Sequence, residues 1–241
     1  MLVAPDISIT TRLLELETIK TWSLIATVLG DLEDDTVSGR ALWSLLEPLG
    51  IKAEAMRVAL HRLKKDGWVV SNKVGREVIY ALSQRGLAET VAARTDVYRH
   101  DVKYPEGWHM ALLGPDPVPF DSAHVMLDRN LILVPVAGTV PDNAALTPAP
   151  QDMPDWFQNC LVPQHMRERA QDLSDLARDF LQRPSPDTTS VRLILLHHWR
   201  KMALRTGTWA HIGLQPDGVM ARCHRDMRAF FDQTPPASPK S

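Results

Sequence analysis

Between residues 51 and 86 the chain gathers eight basic side chains (Lys52, Arg57, Arg62, Lys64, Lys65, Lys73, Arg76 and Arg85) against three acidic ones (Glu54, Asp66 and Glu77), a local balance of +5. Arg57, His61 and Lys64 are spaced i, i+4, i+7, so on a helix they share a face. That face lies about 100° around the axis from a stripe of Met56, Leu60 and Leu63. A helix so built can rest its apolar side on a domain and present its cationic side to the major groove of double-stranded DNA, where arginine or lysine pairs with guanine edges or phosphates. Lys52, Arg62 and Lys65 complete the candidate DNA-binding set on this helix, and Lys73 and Arg76 sit in the glycine-containing stretch that follows, where a hairpin tip would reach the backbone or the minor groove. The competing explanation of such a charge run is a solvated helix face.

The elements that must position these residues are legible from periodicity. Ile19, Trp22, Ile25, Ala26 and Leu29 recur at helical steps before Gly30. After the acidic turn segment DLEDDT, Ser38 caps a short helix carrying Ala41, Leu42, Leu45 and Leu46, which Pro48 and Gly50 break. A third helix runs from Lys52 to Lys65 and ends at Asp66-Gly67. The runs WVVS and EVIYAL read as strands, with Asn72 to Arg76 as the turn between them, and a further helix follows from Ser83 into residue 95. Three helices and a hairpin are the order of a winged helix-turn-helix, and Trp22, Trp43 and Trp68 are expected in or near its core.

Downstream, WHMALL and NLILVPVA read as strands of a small α+β region over 96–140. The proline-rich stretch 141–155 reads as a linker, residues 156–234 as a C-terminal helical domain with three helices, and 235–241 as a disordered tail. The expected fold is therefore mainly α with small β content, the winged domain occupying 1–95. Hydrophobic residues at 44% and charged residues at 23% are proportions of a chain that folds rather than of a disordered one. The net charge of −2 hides the basic patch completely. Cys160 and Cys223 lie far apart with no thiol at metal-ligand spacing, so neither disulfides nor zinc are expected. The start MLVAPDISITTRLLELE has no signal-type pattern and no apolar run reaches membrane-spanning length, so the expected location is cytoplasmic. No HExxH spacing, serine elbow or phosphate-cradling glycine loop occurs, and no catalytic residue, cofactor or metal is assigned.

The stretch RVALHRLKKDGWVVSNKVGREVIYALSQRG resembles the corresponding part of the PaaX-like repressors of bacterial phenylacetate degradation. The residues that carry the likeness are Arg57 and Ala59, Arg62-Leu63, Gly67-Trp68, Gly75-Arg76, Tyr80-Ala81-Leu82 and Gly86, with TWSLIATVLGD and EPLGI fitting the upstream helices. The resemblance implies a homodimeric repressor whose winged helices bind a palindromic operator and which an acyl-CoA thioester such as phenylacetyl-CoA releases. It also implies a ferredoxin-like module, here reduced, in the middle region. His198-Trp199-Arg200 and Leu204-Arg205 are similar to the family's histidine-x-arginine helix. Arg192, His198, Arg200 and Arg205 thereby become candidate effector-binding residues, the arginines suited to phosphate contacts. The competing assignment for these is a solvated helix face or a dimer interface. For the whole chain, the competing function is a winged-helix protein-interaction module without DNA or effector, since fold does not fix function.

Overall fold

The computed structural model describes residues 8–32, 36–102, 104–115, 124–150, 154, 156–157, 161–205 and 208–237. Helices dominate and strands are a minor component. The chain divides into two compact units: 1–98 with 175–200 and 229–241, and 99–174 with 201–228.

In the first unit, α1 (Ile9–Glu15) precedes α2 (Thr21–Asp31), β1 (Thr36–Ser38) and α3 (Gly39–Leu46), then a 3-10 turn, α4 (Ala53–Lys65), the strands β2 (Val69–Val74) and β3 (Glu77–Leu82), and α5 (Gln84–Val97). The Ser38 hydroxyl caps α3 by accepting from the Ala41 N–H, and Ser83 caps α5 by accepting from the Gly86 N–H. Leu24, Ile25 and Val28 of α2, Leu42 and Leu46 of α3 and Leu60 and Leu63 of α4 are buried together with Val37 and Val69. The helical periods seen in the sequence therefore mark a true core.

The three strands form an antiparallel sheet in the order β1-β3-β2. Two local readings change here. Thr36, placed by sequence in an acidic turn, begins a strand that pairs with Ala81. The hairpin turn is shorter than the five residues expected, because Val74 pairs directly with Glu77 and only Gly75 and Arg76 remain outside the ladder. Gly75 makes this possible with φ of 60°, the requirement of a two-residue turn with glycine first.

The remainder of this unit comes from α6 (Gln164–Gln182), α7 (Thr188–Ala203) and α9 (Val219–Gln233), whose residues 175–182, 188–200 and 229–233 belong to it. Arg192 of α7 and Asp31 at the end of α2 form an ion pair buried almost completely, with Nη2 2.6 Å from Oδ1 and Nε 2.8 Å from Oδ2. The same carboxylate accepts from the Tyr98 hydroxyl at 2.9 Å and from the Ala237 backbone N–H at 3.0 Å. The tail expected to be disordered is thus fixed as far as Ala237, which is buried, because a buried carboxylate needs its lone pairs filled; residues 238–241 lie outside the described part. Burial and the adjacent Asp31 charge push the Tyr98 hydroxyl well above its usual range, which keeps the proton it donates.

In the second unit, β4 (Trp108–Leu113), β5 (Val125–Asp128), β6 (Leu131–Pro135) and β7 (Ala144–Pro148) make an antiparallel sheet in the order β5-β6-β4-β7. The linker reading of 141–155 is corrected by β7, which pairs with β4 from His109↔Pro148 to Leu113↔Ala144. Its prolines obscured it, yet an edge strand tolerates proline where no ladder N–H is needed. Val125 and Leu133 pack on one sheet face with Ala210 of α8 (Thr208–Leu214), a helix the sequence reading lacked, and Ala111, Ile132 and Val134 cluster on the other. Cys223 is buried, and Cys160 lies outside the described residues. No helix among the described residues is long and apolar enough to cross a membrane, and no group of three or more His, Cys, Asp or Glu there could hold a metal ion.

Three outcomes are expected. Asp31→Ala leaves the Arg192 charge buried and should cost about 3–5 kcal/mol, read from urea unfolding. A Cβ on Gly86 would stand 2.3 Å from the Trp68 carbonyl oxygen, so Gly86→Ala should destabilise by about 1–3 kcal/mol and lower Tm. Burial pushes the His211 imidazole down to about 4 from 6.5. Between those values the unfolded chain binds the extra proton, so stability is complete above pH 6.5 and declines as pH falls towards 4. Urea midpoints at pH 4.5 and 7 should differ less for His211→Gln than for the parent, and equal differences would assign the slope to other groups.

Candidate nucleic-acid interface

Helix α4 separates its chemistry cleanly. Met56, Ala59, Leu60 and Leu63 are buried, whereas Arg57, His61, Arg62, Lys64 and Lys65 are exposed. Lys52, at the N-cap position, is exposed as well. Glu54 lies one turn before Arg57 and accepts from its Nη1 at 2.9 Å; both side chains are more than 70% exposed, so the pair is weak and exchangeable. Lys64 Nζ donates to Ser71 Oγ of β2 at 2.6 Å, which links the exposed face of α4 to the hairpin. Lys73 and Arg76 are exposed in the hairpin, and neither has an ion partner among the described residues. Arg57, His61, Lys64 and the hairpin cations are thus held by one compact unit on solvent-facing positions.

Arg62 departs from that face. Its guanidinium lies 5.4 Å from the centre of the Trp22 ring and 3.6 Å from Asp66. Trp22, expected near the core, is about one-third exposed and carries this cation instead. Trp68 donates from Nε1 to Glu89 at 2.7 Å, and Arg85 donates to the other oxygen of Glu89 at 2.8 Å. Those two bonds hold the Glu89 carboxyl below its usual range.

The four effector candidates each have their own partners. Arg192 is spent inside the fold on Asp31 and on Thr234, whose carbonyl accepts from Nη1 at 2.6 Å. His198 is buried, its Nε2 donating to the Leu13 carbonyl at 3.0 Å. Arg205 belongs to the other unit, where it meets His165 at 3.3 Å. Arg200 donates to the Thr27 hydroxyl at 3.2 Å and from Nη2 to the Ser23 hydroxyl and carbonyl at 3.1 and 3.3 Å. These partners are all neutral, and burial without a counter-charge holds the Arg200 guanidinium below its usual range. A histidine-x-arginine pattern in the sequence marks these residues as special, but only their partners, found far away along the chain, distinguish structural roles from an open one.

A family model described as PaaX-like protein matches residues 20–86. The transcriptional repressor PaaX of Escherichia coli K12 is 35% identical over 96 residues, and the match takes in 38% of this chain and 30% of that protein. Among solved structures, the uncharacterized protein Rv0674 of Mycobacterium tuberculosis aligns with 90% of this chain and 97% of its own, with a TM-score of 0.50 and 17% identity. That likeness is one of fold alone. The segment bearing the α4 face and the hairpin is the segment that the PaaX-like family model covers, and the chain spans less than a third of the length of the repressor it matches.

Proposed function

We propose that the chain is a transcriptional regulator whose residues 1–95 contain a winged helix-turn-helix that binds double-stranded DNA. The observation that carries this reading is the solvent-facing Arg57, His61 and Lys64 row on a helix anchored by its opposite side, next to a hairpin with Lys73 and Arg76. In this reading α4 enters the major groove, with Arg57, His61 and Lys64 toward base edges and Lys52 and Lys65 toward phosphates. The hairpin lies along the backbone or in the adjacent minor groove. Arg57 exchanges Glu54 for DNA at small cost because that pair is exposed. Arg62 supports the helix from the Trp22 side.

The likeness to a transcriptional repressor supports the finer proposal of a dimer on a palindromic operator, repressing until an acyl-CoA-type effector such as phenylacetyl-CoA releases it. The sheet of the second unit is proposed as a reduced ferredoxin-like module. Neither finer proposal is needed for the DNA reading.

The test is selection of bound duplexes from random sequence, followed by anisotropy titration of the winning site. Arg57→Ala should lose about 1–3 kcal/mol of binding and relax preference at one base position. Lys73→Ala should weaken all duplexes evenly and reduce the salt slope by about 0.9. Retention of full affinity and selectivity by both variants would overturn α4 and the hairpin as the contact surface, and absence of any salt-sensitive duplex binding would remove DNA from the reading.

A further inference from the structure

Within the first unit, a cavity of about 480 Å³ has Trp22, Arg62, Trp68, Arg85 and Arg200 in its lining. That is the size of a pocket for a small organic molecule. The charges in its wall are unequally matched. Arg62 has Asp66 and Arg85 has Glu89, but Arg200 bonds only to Ser23 and Thr27, and its Nη1 meets no protein acceptor among the described residues. A partly desolvated guanidinium with one free nitrogen is a strong site for an oxyanion, which gains charge-assisted hydrogen bonds while relieving the unbalanced charge. The two indole rings supply flat apolar surface in the same cavity, and Trp68 is held in place through its bond to Glu89.

We infer that this cavity binds a small organic anion with a flat apolar body, the oxyanion on Arg200 and the body against Trp22 and Trp68. The volume suits a free acid rather than a nucleotide-bearing thioester. Asp66 directly follows α4 and also lines the cavity, as do Arg62 and Leu63 of its last turn, so the ligand touches the end of the proposed reading helix. Control of DNA binding from this site rests on the function proposed above; occupancy of the site does not.

Isothermal titration of the full chain without DNA tests the site, using 2-naphthoate as probe, 2-naphthamide as its uncharged isostere and inorganic phosphate as an anion without a flat body. The expected result is saturable binding of one naphthoate per chain, with the amide and phosphate at least tenfold weaker. Arg200→Gln and Trp22→Leu should each weaken naphthoate at least tenfold. Trp22→Leu removes only a partly exposed ring, so it carries the test if the Arg200 variant unfolds, as judged by circular dichroism. The inference is overturned by no saturable heat with naphthoate, by amide or phosphate binding as tightly, or by wild-type affinity in a folded Trp22→Leu variant. Because DNA is absent from the titration, either outcome leaves the DNA reading to its own experiment.

Discussion

The first unit is organised around the carboxylate of Asp31. Two of its hydrogen bonds come from Arg192, one from Tyr98 and one from the Ala237 N–H, so a single side chain joins the end of α2 to α7, to the end of α5 and to the C-terminal residues. Arg192 then extends the network to Thr234, and its guanidinium lies 5.3 Å from the centre of the Phe231 ring. Removing two charges from water is expensive, and apolar residues of the same volume would often be as stable. What the pair adds is directional: the fork of Arg192 fits one carboxylate orientation, which fixes how α7 lies against α2. Since α2 also packs in the core with α4, the placement of the cationic row depends on a bond made 161 residues further along the chain.

That dependence explains which parts of the fold could be read in advance. Local signals were sufficient for α2, α3, α4 and the hairpin, because each carries its apolar period, cap or turn glycine within a few residues. They failed for β1, a three-residue strand with no alternation to detect, and for β7, where proline suppressed the strand signal. The seven-residue α1 and α8 are too short for a helical period to stand out. The Ala237 anchor was equally invisible, since its partner lies at Asp31 and nothing near Ala237 announces it.

The candidate site divides along the same line. Arg57, His61 and Lys64 are exposed where the period placed them, because the face of a helix follows from its own sequence. Arg192, His198, Arg200 and Arg205 became effector candidates through a family-like pattern in the sequence, but burial and partner choice are tertiary properties. Arg192 and His198 answer distant groups of the fold, Asp31 and the Leu13 carbonyl, whereas Arg205 lies in another unit.

Arg192 and Arg200 therefore pose a controlled comparison on one helix. Both are removed from water to a large extent, yet Arg192 has a carboxylate on two of its nitrogens and Arg200 has only hydroxyl and carbonyl oxygens. If hydrogen bonding to Ser23 and Thr27 were the whole purpose of Arg200, a neutral amide side chain could make such bonds without the cost of desolvating a charge. The half-buried side chain lines the pocket that also holds Trp22 and Trp68 in its wall. An unbalanced cation held rigidly beside two indole rings is a pre-organised recognition element, because the fold has already met the entropy of placing it. The same reasoning assigns Arg192 to the architecture: its charge is balanced before any ligand arrives, and an incoming anion would have to displace Asp31 to use it.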